Sequence, residues 1–315
     1  MLKRFLLLLL PSLLFSQIPG PKDDRVLLPN GWWLSPAGDQ IELGDFPMNA
    51  ALTDDQKFLA VTDGGQSGAD VRLVDLVAKR VVDVVQLKDS WQGIKFLGKR
   101  LYVSGGYQNC VYTFDLNNGK LIPSDTIVFE QPAPKYDGAA AGLDVFNNRL
   151  AVVFRNDSTL RYMNLKTKSI DKVKLSGMPY SCTFTKDGIV LVSIWSSAKV
   201  QAFKGTKMLY EFNVGDHPNE ITLSSHSRYV YVANGNDNSV SVIDLRVRRT
   251  IAHVSTSIHP DSPEGSTTNS VTLTADSRYL LAANADNNSI TVMKWQTFIS
   301  ITVSSTGRLP LAWRC

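Results

Sequence analysis

Residues 229–244 read YVYVANGNDNSVSVID. Two short runs rich in β-branched and aromatic residues, 229–233 and 239–243, flank five residues that are all Asn, Asp or Gly. The first kind of side chain fits a pleated sheet. The second kind tolerates the positive φ of a tight hairpin. The segment therefore predicts two antiparallel strands joined by a short turn. Val230-Tyr231-Val232 is apolar on both sides of the pleat, whereas a strand wet on one face would alternate. Outward from this hairpin, residues 221–224 and 250–254 supply one more strand on each side, which makes a unit of four strands.

The unit repeats. The apolar strand recurs at 59–62, 101–104, 150–153, 190–193, 230–233 and 280–283, and the anchors Val61, Val103, Val152, Val192, Val232 and Ala282 lie 42, 49, 40, 40 and 50 residues apart. Four strands at that period are the signature of an all-β propeller with antiparallel blades. Blades stacked around an axis bury both faces of their inner strands, which explains the doubly apolar runs. Inserted loops at 130–142 and 257–270 account for the two long intervals. In 76–87, Val77, Val81, Val84 and Val85 have helical spacing, but the repeat register and the valines favour a strand.

The 315 residues are 43% apolar and 20% charged, the composition of a globular chain. Lys3 and Arg4 precede an apolar run over 5–15 and then Ser16. That is a basic start, a stretch too short to span a bilayer and a small residue, the pattern of an export signal over 1–16. No cysteine follows the run, as a lipid-anchored protein would need. The expected location is secreted or periplasmic, with no membrane span after cleavage. Without Lys3 and Arg4 the formal charge falls from +4 to +2. Only Arg246, Arg248 and Arg249 cluster, and that cluster reads as a solvated turn, so no nucleic-acid partner is expected. Cys110, Cys182 and Cys315 lack metal or haem spacing. Cys110 and Cys182 fall in predicted strands, where a free thiol acts as a small hydrophobe.

The run Tyr229 to Asp244 resembles the YVTN-type β-propeller repeat. The stretches 259–269 and 283–288, with the opening 28–38, resemble the bacterial secreted proteins in which a seven-bladed propeller precedes a phosphoesterase domain of the alkaline-phosphatase superfamily. That resemblance implies a propeller over 17–315: outer strands of a closing blade in 17–47, six blades over 48–304, and the start of a last blade in 305–315. It also implies a phosphoesterase partner domain in full-length relatives, whose nucleophile and metal ligands have no counterpart positions in this sequence. Two expectations stay open. Either the chain is a truncated product whose closing, seventh blade is incomplete, or residues 32–43 cap a six-bladed ring.

No G-x-S-x-G elbow, P-loop or HExxH sequence is present, and His259 with Asp261 and Glu264 reads as a polar loop. No catalytic centre, metal or cofactor is expected. Connections from strand four to strand one and turns from strand two to strand three emerge on one face around the channel. They bring Arg155, Trp195, His217, Asn219, Glu220 and Asn269 to its mouth, a candidate site for a small molecule or protein. Asn49, Asn219 and Asn269 read as equivalent positions with a turn role. Arg155, Trp195 and His217 break the repeat and are the stronger candidates. The expected function is a non-catalytic binding or docking module. The alternatives are a lactonase-like propeller hydrolase and a structural surface protein.

Overall fold

The computed structural model describes residues 18–22, 25–29, 31, 33–34, 40–129, 138–257, 267–287, 289–294 and 299–304. The expected export signal at 1–16, residues 35–39 of the stretch 32–43, most of both inserted loops and residues 305–315 lie outside them. Six antiparallel sheets of four strands follow one another, each meandering outward from the channel. Blade 1 comprises Pro47–Leu52, Phe58–Asp63, Ala69–Asp75 and Arg80–Leu87. The innermost strands of blades 2 to 6 are Ile94–Leu97, Ala140–Phe146, Pro179–Phe184, Pro218–Leu223 and Thr268–Leu273. The ambiguous valine-rich segment is the outermost strand of blade 1.

The described residues hold six blades, not the expected seven. The N-terminal stretch forms its own three-stranded sheet from Gly20–Lys22, Arg25–Leu27 and Trp33–Leu34. Trp33–Leu34, expected in the outer part of an incomplete closing blade or in a cap, pairs with the neighbouring Arg25–Leu27. A short loop costs less closure entropy than a connection across the whole chain.

Blade 5 shows how the sequence makes a blade. Val230, Val232 and Ala233 are fully buried and Tyr231 nearly so, with alternate side chains facing opposite neighbours. The turn after this strand ends at Asn238, whose φ of 45° is left-handed, and Asn bears that conformation at little cost. Asn234 donates from Nδ2 to Ser239 and Ser241 at 2.9 and 2.8 Å, and Asn284 repeats the clasp in blade 6 on Ser289 and Thr291 at 3.0 and 2.9 Å. These amides satisfy the hairpin. In blade 1 the corresponding residues are Asp63, Asp70 and Arg72, and an Arg72–Asp70 ion pair at 3.0 Å takes the place of the amide clasp.

The core lies between blades, in five apolar clusters, one for each pair of successive sheets. Close approach of the innermost strands depends on Gly93 and Gly142. A Cβ on Gly93 would stand 2.1 Å from the Ala141 carbonyl oxygen, and one on Gly142 would stand 2.6 Å from Ser181 Cα. Both obstacles are backbone, so no side-chain rotation relieves them.

Blades 6 and 1 differ from the other neighbours, because their innermost strands do not pack on one another as the other five pairs do. In blade 5, Tyr231, Ala233, Val240 and Val242 are buried against blade 6. Strand pairing places Leu281, Ala283, Ile290 and Val292 at the same positions in blade 6. There Ala283 is exposed and Ile290 is 51% exposed. On the facing side, Ala50 is exposed and Leu52 is 44% exposed. The blade series therefore ends in a seam with apolar walls.

Candidate functional site at the channel mouth

The innermost strands of blades 1, 3, 4, 5 and 6 each start with a register slip. A bulge of this kind adds a residue and re-aims its side chain. Pairing brings Met48, Ala141, Tyr180, Asn219 and Asn269 to one level of the channel, and Asn49, Gly142, Ser181, Glu220 and Ser270 to the next. Asn49 is therefore equivalent to Glu220 and not to Asn219. Pro47 aligns with Pro218, and that proline register was the available signal.

Residues of both levels hydrogen-bond across the channel. Asn49 Nδ2 donates to the Gln92 carbonyl at 2.8 Å, and Gln92 Nε2 donates to the Tyr180 carbonyl at 2.9 Å. Tyr180 Oη donates to Asn269 Oδ1 at 3.3 Å, and Asn219 Nδ2 donates to the same oxygen at 2.9 Å. This net links five blades and leaves a constriction of about 30 Å³ lined by Gln92, Tyr180, Glu220 and Asn269. Gln92, which the sequence did not point to, holds its centre together with Tyr180, which the loop pattern places at the channel mouth. Asn219 Oδ1 is buried without a partner among the described residues.

Glu220 sits below this net, where a polar chamber of about 100 Å³ also takes in Lys95, Asp144 and Thr183. Its carboxylate accepts a hydrogen bond from the Ser270 hydroxyl. Burial raises its pKa above the ordinary 4.5, with Ser270, the Val271 amide and Lys95 opposing. The fold thus favours the protonated acid, and this contribution to stability is complete below pH 4.5 and lost as pH rises through the raised value. Glu220→Gln is expected to raise the melting temperature at pH 7, with the gain shrinking to nothing as the pH falls below 4. Equal shifts at both pH values in a thermal scan would contradict this.

Above the net lies a rim of repeat-breaking side chains. The Trp91 ring meets Tyr107 edge-on at 6.1 Å, and the Arg155 guanidinium lies over Trp91 at 5.4 Å. Arg155 Nη2 reaches Met178 Sδ at 3.3 Å, and the Met178 amide donates to Ser196 Oγ at 2.9 Å. Ser196 belongs to the single 3-10 turn Trp195–Ser197 of blade 4, and that turn presents Trp195 edge-on to His217 at 4.0 Å. His217 Nδ1 lies 2.7 Å from Asp216 Oδ2 and 2.9 Å from Asn236 Nδ2. Nδ1 donates to the first or accepts from the second, so these contacts belong to different tautomers of the ring. The left-handed φ of His217 recurs at Ala139 and Thr267 just before the innermost strands of blades 3 and 6. Its backbone is repeat chemistry; its imidazole is not.

The structure thus brings together all six predicted positions in two levels, Asn219, Glu220 and Asn269 in the floor, and Arg155, Trp195 and His217 on the rim. Burial and then the Glu220 charge raise the pKa of the Tyr180 hydroxyl, with Arg155 and the Asn269 hydrogen bond opposing. Among the described residues no three His, Cys, Asp or Glu side chains gather as a metal site. His259, Asp261 and Glu264 lie outside those residues.

No protein-family model matches the sequence, and no curated protein does. Solved structures match along nearly the whole chain. A protein from Lactobacillus plantarum superposes with a TM-score of 0.70 at 14% identity over 89% of this chain and 90% of its own. An inactive variant of virginiamycin B lyase from Staphylococcus aureus, bound to quinupristin, gives 0.67 at 12% identity over 82% and 84%. A candidate 6-phosphogluconolactonase from Bacteroides fragilis gives 0.64 at 16% identity over 87% of both chains. At these identities the likeness shows a shared propeller fold.

Proposed function

We propose that this protein is an exported, YVTN-type ligand-binding propeller whose ligand rests on the rim of the channel mouth. One observation carries the reading. Side chains that keep the repeat, such as Asn234 and Asn284, serve hairpin clasps, whereas those that break it, Trp91, Tyr107, Arg155, Trp195 and His217, form one connected rim. The net beneath the rim closes the channel with the protein's own hydrogen bonds, so a ligand is held above it. The resemblance to propeller–phosphoesterase proteins supports a docking role beside such a domain.

A second reading rests on Glu220. A carboxyl kept protonated above its ordinary pKa is the form a general acid takes, and the structural neighbours include a lyase and a candidate lactonase. The two readings separate on the purified mature chain. Binding predicts stabilisation by members of a small-molecule library, lost in Trp195→Ala, with no hydrolysis of phosphate esters or lactones above buffer in added Zn²⁺ or Ca²⁺. Turnover that disappears in Glu220→Gln would replace the binding reading with an enzymatic one.

A further inference from the structure

We infer that Arg155 makes the rim an organic-anion site, taking a flat carboxylate or phosphate ester whose acidic group meets the guanidinium and whose ring lies against Trp91 and Tyr107. The inference rests on the binding reading above and names its ligand class.

Arg155 differs from the arginines that pair along the strands. Arg72, Arg100, Arg161, Arg228 and Arg278 each meet an aspartate. Arg155, at the strand-two to strand-three turn of blade 3, meets no carboxylate among the described residues. Its Nε is buried without an acceptor, and its one recorded side-chain hydrogen bond goes to a thioether, a weak acceptor. A guanidinium is always charged and carries five donors in a rigid fork, a geometry that matches two oxygens of a carboxylate or phosphate. Leaving such a donor buried and unused costs free energy that an anion would recover.

The surroundings fix where the anion sits. Trp91 backs one face of the guanidinium, so an anion would meet the N–H groups in the plane of the fork rather than from that face. Tyr107 stands edge-on to Trp91 and is 39% exposed, which offers a second apolar surface to a flat group. The Glu220 carboxyl lies below the Tyr180–Asn269 bridge, on the far side of that bridge from the rim.

The test is calorimetric titration of the mature chain with benzoate, phenyl phosphate, inorganic phosphate and benzamide in low salt. Benzoate or phenyl phosphate is expected to bind at least tenfold more tightly than benzamide, and to weaken as NaCl is raised. The stronger of the two distinguishes a carboxylate from a phosphate source. Arg155→Gln should remove that advantage at least tenfold, with the melting temperature showing that the fold is intact. Arg155→Lys keeps the charge without the fork and should retain part of it. Benzamide binding as well as benzoate, no binding of either anion at millimolar concentration, or unchanged anion affinity in Arg155→Gln would overturn the inference. If a neutral library ligand is lost in Trp195→Ala but kept in Arg155→Gln, the anion inference fails while the rim remains the site.

Discussion

Val240→Asp is expected to unfold the protein or destabilise it severely, by about 4 kcal/mol or more, whereas Ile290→Asp should cost about 1 kcal/mol. The two residues occupy the same position of successive blades, paired with Ala233 and Ala283. Val240 is fully buried among Tyr231, Val254, Val271 and Leu280. A carboxylate there has no partner, and a folded state worth about 5 to 15 kcal/mol cannot readily absorb it. Ile290 faces the seam and is 51% exposed, so its aspartate keeps its water. Urea unfolding of both variants measures the contrast. Equal, large losses would mean that the seam is closed in solution and that Ile290 is as buried as Val240. The same seam predicts that the wild-type protein binds a hydrophobic dye in its folded state, since Ile290 and Leu52 are exposed on its two walls.

Asp157→Ala is expected to cost about 3 kcal/mol at neutral pH. Arg161 is 1% exposed, with its guanidinium 3.8 Å from the Phe154 ring centroid and its Nη2 2.5 Å from Asp157 Oδ2. Asp157 also accepts from Thr159 at 2.7 Å and faces Lys172 at 3.2 Å. Removing the carboxylate takes an anion away from a buried cation, which is far costlier than losing a surface pair. Burial works to raise the pKa of Asp157, but the hydrogen bonds from Thr159 and Arg161 prevail and hold it below the ordinary 3.8. The stabilisation is therefore present above pH 3.8 and lost as pH falls through the lowered value. The difference in unfolding free energy between wild type and Asp157→Ala should be largest near pH 7 and narrow below pH 3.8. A difference that does not change with pH would assign the loss to packing rather than to charge.

The blade was legible because its determinants are local. A strand of Val and Tyr, a turn of Asn, Asp and Gly, and a period of 40 to 50 residues each depend on near neighbours in sequence, and together they fix a four-stranded sheet that must bury both faces. The repeat also exposed its own exceptions, which is how Arg155, Trp195 and His217 stood out. Register was less legible. Asn49 resembles Asn219 by residue type, yet a one-residue bulge decides which side chain enters the channel, and the bulge follows from strand pairing.

The sequence by itself thus determined the propeller, its strand pattern and the face where its irregular residues emerge, because those follow from period and turn chemistry. Only the tertiary structure decided the blade count among the described residues, the seam between blades 6 and 1, the Gln92–Tyr180 crossing that closes the channel and, among the described residues, the lack of a carboxylate partner for Arg155. Each of these depends on groups far apart in the chain, such as Gln92 and Tyr180, which are 88 residues apart. A contact of that kind is set by how sheets pack around an axis and leaves no trace in local residue spacing.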